Sequence, residues 1–145
     1  MLLDLPDVRQ RAGCDCGTAA ADTVARFLHS RTARAVIADA VDGTHPSALE
    51  AAMRRAGLAV QSGTMTLADL QHHVRQGRPV LCPIASYGGH WVVVRGVGRG
   101  FVYAQCPTEG PIRVTLARWL DLWRDSTRAA HDFDHWGIAV SRPGT

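Results

Sequence analysis

Hydrophobic positions along this chain change their period once, near residue 79. Before that point they recur at helical spacing, and after it they run in short continuous or alternating blocks. Residues 1–15 read as a loop broken by Pro6 and Gly13. Ala20, Val24, Phe27 and Leu28 then predict a first helix from about Gly17 to His29 with one buried stripe. A second helical stretch, Thr32 to Val41, ends at the turn signal Asp42-Gly43. A third opens with Ser47 as N-cap and Glu50 three residues on, carries Leu49, Ala52, Met53 and Ala56 on one face, and stops at Gly57. The fourth follows the same logic. Thr66 caps it, Asp69 sits three residues on, Leu67, Leu70 and Val74 face inward, and Gly77 ends it.

Pro79 to Ala85 is an uninterrupted apolar run and predicts a buried strand. Trp91 to Gly96 predicts a second strand, and Gly98-Arg99-Gly100 a tight turn into a third, Phe101 to Gln105. Ile112 to Val114 is a short strand, and Thr115 caps a helix bearing Leu116, Trp119, Leu120 and Trp123. Trp136 to Val140 is the last strand. Helices first and an antiparallel sheet second define an α+β class, with the helices packed on the sheet. Residues 1–145 are expected to form one domain.

Composition narrows the partners. The net charge of +3 is mild and the basic residues are scattered, which argues against nucleic acid. All 16 basic residues are arginine, with no lysine and no asparagine; both missing residues have A/T-rich codons, which reads as a GC-rich bacterial genome. No apolar run approaches the roughly 18 residues of a membrane span. Met1 to Pro6 lacks the pattern of a signal peptide, so the expected location is cytoplasmic. Four cysteines, Cys14, Cys16, Cys82 and Cys106, lack Cys-x-x-Cys spacing, which leaves catalytic or buried thiols rather than zinc ligands or disulfides. No cofactor is expected. His72-His73, His131 and His135 do not make a metal site, because adjacent histidines on one helix point in different directions.

The chemistry sits in Gln10-Arg11-Ala12-Gly13-Cys14-Asp15-Cys16-Gly17. A thiol at the first turn of a helix faces unpaired N–H groups and the positive end of the dipole, which lower its pKa and favour the nucleophilic thiolate. Cys16 has that place; Cys14, two residues earlier, is a rival. The Gln10 amide is a donor able to steady an oxyanion. A candidate for the missing base is His90 in Gly88-Gly89-His90-Trp91, where the glycines allow a substrate backbone to come close.

This order and spacing resemble the C39 peptidases, papain-like cysteine proteases best known for removing double-glycine leader peptides from bacteriocin precursors. The resemblance runs from Val8 to about Trp123. It implies a papain-like fold with Cys16 as nucleophile, His90 as base and Gln10 in the oxyanion hole, and the transporter parts found with many family members are expected on a separate chain. It also implies an aspartate before a proline about sixteen residues after the histidine, to orient the imidazole. Here that place reads Gln105-Cys106-Pro107. The proline is kept and the acid is a cysteine. Gln105 substitutes only if it points inward, and strand alternation sets residues 105 and 106 on opposite faces. Cys106 is then a neutral filler, a partner of His90 or a redox partner of Cys16, and the filler reading is favoured. Asp134 is a remoter stand-in.

Each of these residues has a plainer reading as well. Cysteine is often a buried structural residue, and Cys82 in its apolar strand is read as core. A strand histidine is often satisfied by backbone alone. Trp91 is read mainly as core, although beside His90, together with Gly89 and Asp15, it is a candidate for binding substrate. The leading expectation is a peptidase acting on a peptide, with a precursor's leader as the substrate the resemblance implies. The alternatives are a papain-like acyl- or aminoacyltransferase, for which a carrier protein is the expected partner, and a degenerate protease that binds without cutting.

Overall fold

A computed structural model describes residues 2–11, 16–29, 45–86, 89–126 and 131–144. The helix expected over 32–41, its Asp42-Gly43 end, Cys14 and Asp15 lie outside these residues. In chain order the elements are α1 (Cys16–Phe27), α2 (Pro46–Arg55), β1 (Ala59–Thr64), α3 (Leu67–Arg75), β2 (Val80–Ile84), β3 (His90–Gly98), β4 (Phe101–Cys106), β5 (Gly110–Thr115), α4 (Leu116–Leu122) and β6 (Trp136–Ser141).

The strands form one antiparallel sheet in the order β1-β6-β2-β3-β4-β5. The last strand in the chain is thus inserted between β1 and β2. Position in the sheet explains the sequence patterns. β2, paired on both sides, is buried at every residue, whereas the edge strand β5 alternates between covered and exposed positions beyond Gly110. Helices α1 and α3 pack on β3, and α2 packs on β1 and α1. The core joins Ala20, Ala21 and Val24 of α1 with Leu49, Met53, Leu70, Leu81 and the Val92-Val93-Val94 run.

Three expectations need correction. The sixth strand, β1, has the sequence Ala59-Val-Gln-Ser-Gly-Thr64 and no apolar alternation; ladder pairing with β6 and packing by α2 make it a strand. The cap of α2 is His45, whose Nδ1 accepts from the Ser47 N–H at 3.1 Å, and Pro46 takes the first helical turn. Ser47 therefore lies inside the helix. In α4, Trp119 is buried and Trp123 caps the end, but Leu120 stays 42% exposed. The Trp123 indole N–H donates to the Trp136 carbonyl at 2.8 Å and ties this helix to β6.

The start of α3 is as expected. Thr66 Oγ1 accepts from the Asp69 N–H at 3.1 Å, and the Asp69 carboxylate accepts from the Thr66 N–H at 2.8 Å. That bonding holds the Asp69 carboxyl below its ordinary value. Replacing Thr66 by Ala removes one half of this box and is expected to cost about 1 kcal/mol. Urea unfolding checks it; an unchanged midpoint would mean that packing of Leu70 and Val74 alone sets the helix.

Candidate active site

The segment before α1 has no regular structure, yet it is fastened down. Leu3 donates its N–H to the Arg95 carbonyl at 2.8 Å, beside an irregularity in the β3–β4 register between Val94 and Gly96. Leu3, Leu5 and Val8 are buried. Further on, Gln10 donates its N–H to the Pro107 carbonyl at 3.0 Å. The chain therefore approaches α1 across the turn that follows β4.

Helix α1 begins with Cys16, which is buried. At its other end the Leu28 carbonyl accepts from Arg142 Nε at 2.9 Å, just past β6. The C-terminal part of β6 pairs with the start of β2, and β2 runs antiparallel to β3, with Ile84 opposite His90. Since α1 packs on β3, its C-terminus lies toward the late part of β3 and Cys16 toward the end that carries His90. The fold thus brings Cys16, His90 and Gln10 to one end of the sheet.

His90 is the first residue of β3 and is buried. Gly89 before it has φ 114° and donates its N–H to the Ser86 carbonyl at 2.9 Å, a turn that a side chain would strain. His90 Nε2 lies 3.3 Å from Cys106 Sγ, and Cys106 is 2% exposed. Neighbouring Gln105 points away, as alternation requires, and its Nε2 donates to Asp7 Oδ1 at 2.7 Å. Of the two candidates to support the imidazole, Cys106 makes the contact and Gln105 does not. Asp134 is engaged by His131 at 3.0 Å, and is likewise not the partner of His90.

The other candidates divide. Trp91 is 4% exposed and belongs to the core cluster, in keeping with its reading as mainly core. Cys82 is fully buried, which pushes its thiol well above the usual range. His73 accepts from Arg78 Nε at 3.0 Å, and His135 stacks on Trp123 with ring centroids 4.9 Å apart. A surface hollow lined by Leu2, Val97, Gly98, Arg99 and Tyr103 sits at the β3–β4 turn, the far end of β3 from His90. Sequence reasoning missed Asp7, Arg9 and Thr108, whose partners are remote in the chain. Asp7 holds Arg9 at 2.6 Å, and Arg9 Nη1 donates to the Thr108 carbonyl at 3.0 Å.

Burial holds His90 below the ordinary imidazole value of 6.5, with Glu109 opposing weakly, and burial does the same for His73. An imidazole lowered in the fold stays neutral where the unfolded chain already takes up protons. Its contribution to stability is complete above about pH 6.5 and is lost as pH falls through the gap to the folded value. Unfolding midpoints are therefore expected to fall between about pH 7 and about pH 5, and less steeply in His90→Gln. Urea titrations across that range check this; an identical pH slope in the variant would mean that His90 titrates normally.

Residues 4–127 match the Peptidase C39 family, and the chain belongs to that family. No curated protein matches it. Among solved structures, the peptidase domain of Streptococcus ComA, a bi-functional ABC transporter of a quorum-sensing pathway, is 18% identical with a TM-score of 0.76, covering 97% of this chain and 98% of that one. A C39-like peptidase from Bacillus anthracis is 12% identical with a TM-score of 0.75, covering 100% and 98%. A double glycine motif protease from an AMS/PCAT transporter, solved with its leader peptide, is 15% identical with a TM-score of 0.70, covering 97% and 94%. The fold is that of the papain-like C39 peptidase domains. No helix among the described residues is long and apolar enough to cross a membrane.

Proposed function

We propose that this chain is a cysteine peptidase that cleaves a peptide bond through a Cys16 acyl-enzyme, with the leader of a precursor peptide as substrate. Membership of the C39 family supports the chemistry, and the relative crystallised with a leader peptide supports the substrate class. The observation that carries the reading is the imidazole of His90, buried at the Cys16 end of the sheet with a sulfur 3.3 Å behind its Nε2.

In this reading the contact sets the tautomer. With Nε2–H donated to the Cys106 sulfur, Nδ1 on the opposite edge of the ring holds the lone pair and takes the thiol proton from Cys16. The thiolate attacks the scissile carbonyl carbon, and the carbonyl electron pair moves to oxygen. The oxyanion is held by the Gln10 side-chain amide and the backbone N–H of Cys16, at the first turn of α1. Collapse expels the amine, which takes the proton from the imidazolium, and water then releases the acyl group by the same steps.

A thiol sulfur is a weaker acceptor than a carboxylate, so Cys106 orients His90 less firmly than an acid would. That favours, as a second reading, a protein that binds peptides without cutting. Three variants separate the two. Cys16→Ala is expected to abolish cleavage of a double-glycine leader peptide. Cys106→Ala lowers kcat roughly ten- to a hundred-fold, less than the ~10⁴-fold loss that follows removal of a true triad acid's charge. Cys106→Asp raises the rate. Iodoacetamide alkylation across pH gives the independent check: Cys16 reacts well below the ordinary thiol pKa of about 8.5 and slows in His90→Ala. A Cys16 no faster than a free thiol sinks the peptidase reading and leaves the binding one.

A further inference from the structure

Beyond Gln105 the strand that carries Cys106 leaves β3. Among the described residues the β3–β4 ladder ends at Val93 and Gln105, whereas β4 stays paired with the edge strand β5 as far as Cys106 and Gly110. The ladder therefore does not set the distance from Cys106 to His90, which belongs to β3. The N-terminal segment holds this end of β4 instead, clasping it on both sides of Cys106. Before it, Gln105 Nε2 donates to Asp7 Oδ1 at 2.7 Å. After it, Arg9 Nη1 donates to the Thr108 carbonyl at 3.0 Å, and Gln10 donates its N–H to the Pro107 carbonyl at 3.0 Å. The Arg9 guanidinium also lies close over Gly110, the strand partner of Cys106; a Cβ there would stand 2.5 Å from Nη2.

Asp7 joins the two halves of the clasp. Its carboxylate accepts from Gln105 Nε2 and twice from Arg9, from Nε at 2.6 Å and from Nη2 at 3.1 Å. Gln105 is 2% exposed, so without the carboxylate its amide would lose this bond with little water to replace it. Residues 105 and 106 share one stretch of backbone and face opposite ways, so the bond that fixes Gln105 on one face fixes Cys106 on the other. Placement matters here because sulfur is a weak acceptor. At 3.3 Å, its hold on His90 Nε2 weakens with any drift of the strand end. We infer that Asp7 is a positioning residue that, through Gln105 and Arg9, holds Cys106 against His90; this rests on the peptidase reading above.

A residue that acts through Cys106 must lose its effect once the sulfur is gone, and a double-mutant cycle reads that directly. Cleavage of a double-glycine leader peptide is the assay. Asp7→Ala is expected to lower kcat about tenfold with KM little changed, less than the roughly hundredfold that a full ångström of misplacement can bring. In a Cys106→Ala background the same substitution should change kcat by no more than about twofold. Asp7→Asn, whose amide oxygen still accepts from Gln105, should keep most of the rate. Gln105→Leu removes the donor instead and decides the matter if Asp7→Ala does not fold, with the same loss and the same dependence on Cys106 expected. Equal losses in both backgrounds overturn the inference, because they mark a general structural role. An unchanged kcat in Asp7→Ala overturns it too. Either result in a protein that cleaves the peptide sinks the inference alone; no cleavage by the unmodified protein sinks the peptidase reading and the inference with it.

Discussion

The structure depends on one constraint, that α1 is buried on every side. Residues 16–25 are all covered, including Thr18, Asp22 and Thr23. A helix can be enclosed like this only where its side chains are small, and Ala19, Ala20, Ala21 and Ala25 let neighbours approach its backbone closely. Two of the polar residues inside are satisfied locally. Thr23 Oγ1 donates to the Ala19 carbonyl at 2.9 Å, and the Asp22 carboxylate meets Arg26 at 3.1 Å, one turn on. Enclosure fixes the helix in rotation and along its axis, which a helix resting on one apolar stripe does not require. Cys16 inherits that rigidity because it is the first residue of the helix.

The same constraint explains which parts of the fold were readable in the sequence. Local signals were legible where one element decides its own state. The Thr66–Asp69 box needs only four residues, and the apolar run of β2 needs only burial on both faces. They failed where a neighbour decides. β1 is a strand because β6 pairs with it, and its edge position leaves most of its residues in water with no alternation to detect. His45 caps α2 because Pro46 fixes the first turn behind it, which outweighs the better capping chemistry of Ser47. Leu120 matched the helical spacing of α4, yet the helix is only seven residues long and its core-facing row runs from Trp119 to Trp123.

The candidate site divides in the same way. Residue types and spacing pointed to Gln10, Cys16 and His90, because Cys16 and His90 each start an element and Gln10 stands six residues ahead of the cysteine. Which side chain backs the histidine was not decidable from types. Alternation excluded having both Gln105 and Cys106 inward, and the fold chose Cys106 by giving Gln105 a partner in Asp7. That partner is 98 residues away, so no local rule reaches it. The clasp that carries Thr108 was hidden for the same reason.

A thiol in place of an acid changes the electrostatics around His90 more than its geometry. A buried carboxylate requires a compensating charge or several donors, and in return it stabilises a protonated imidazole. A neutral thiol requires little and offers little. Burial then keeps the His90 imidazole below its ordinary value. Thiol activation in such a site cannot rest on a preformed thiolate–imidazolium pair held by an acid. In the proposed mechanism it falls instead to the first turn of α1, whose dipole acts on the sulfur directly. A base that stays neutral to lower pH remains able to accept a proton there, but with less driving force for each transfer. The family's chemistry is therefore retained in this chain only if the helix start supplies what the missing carboxylate does not.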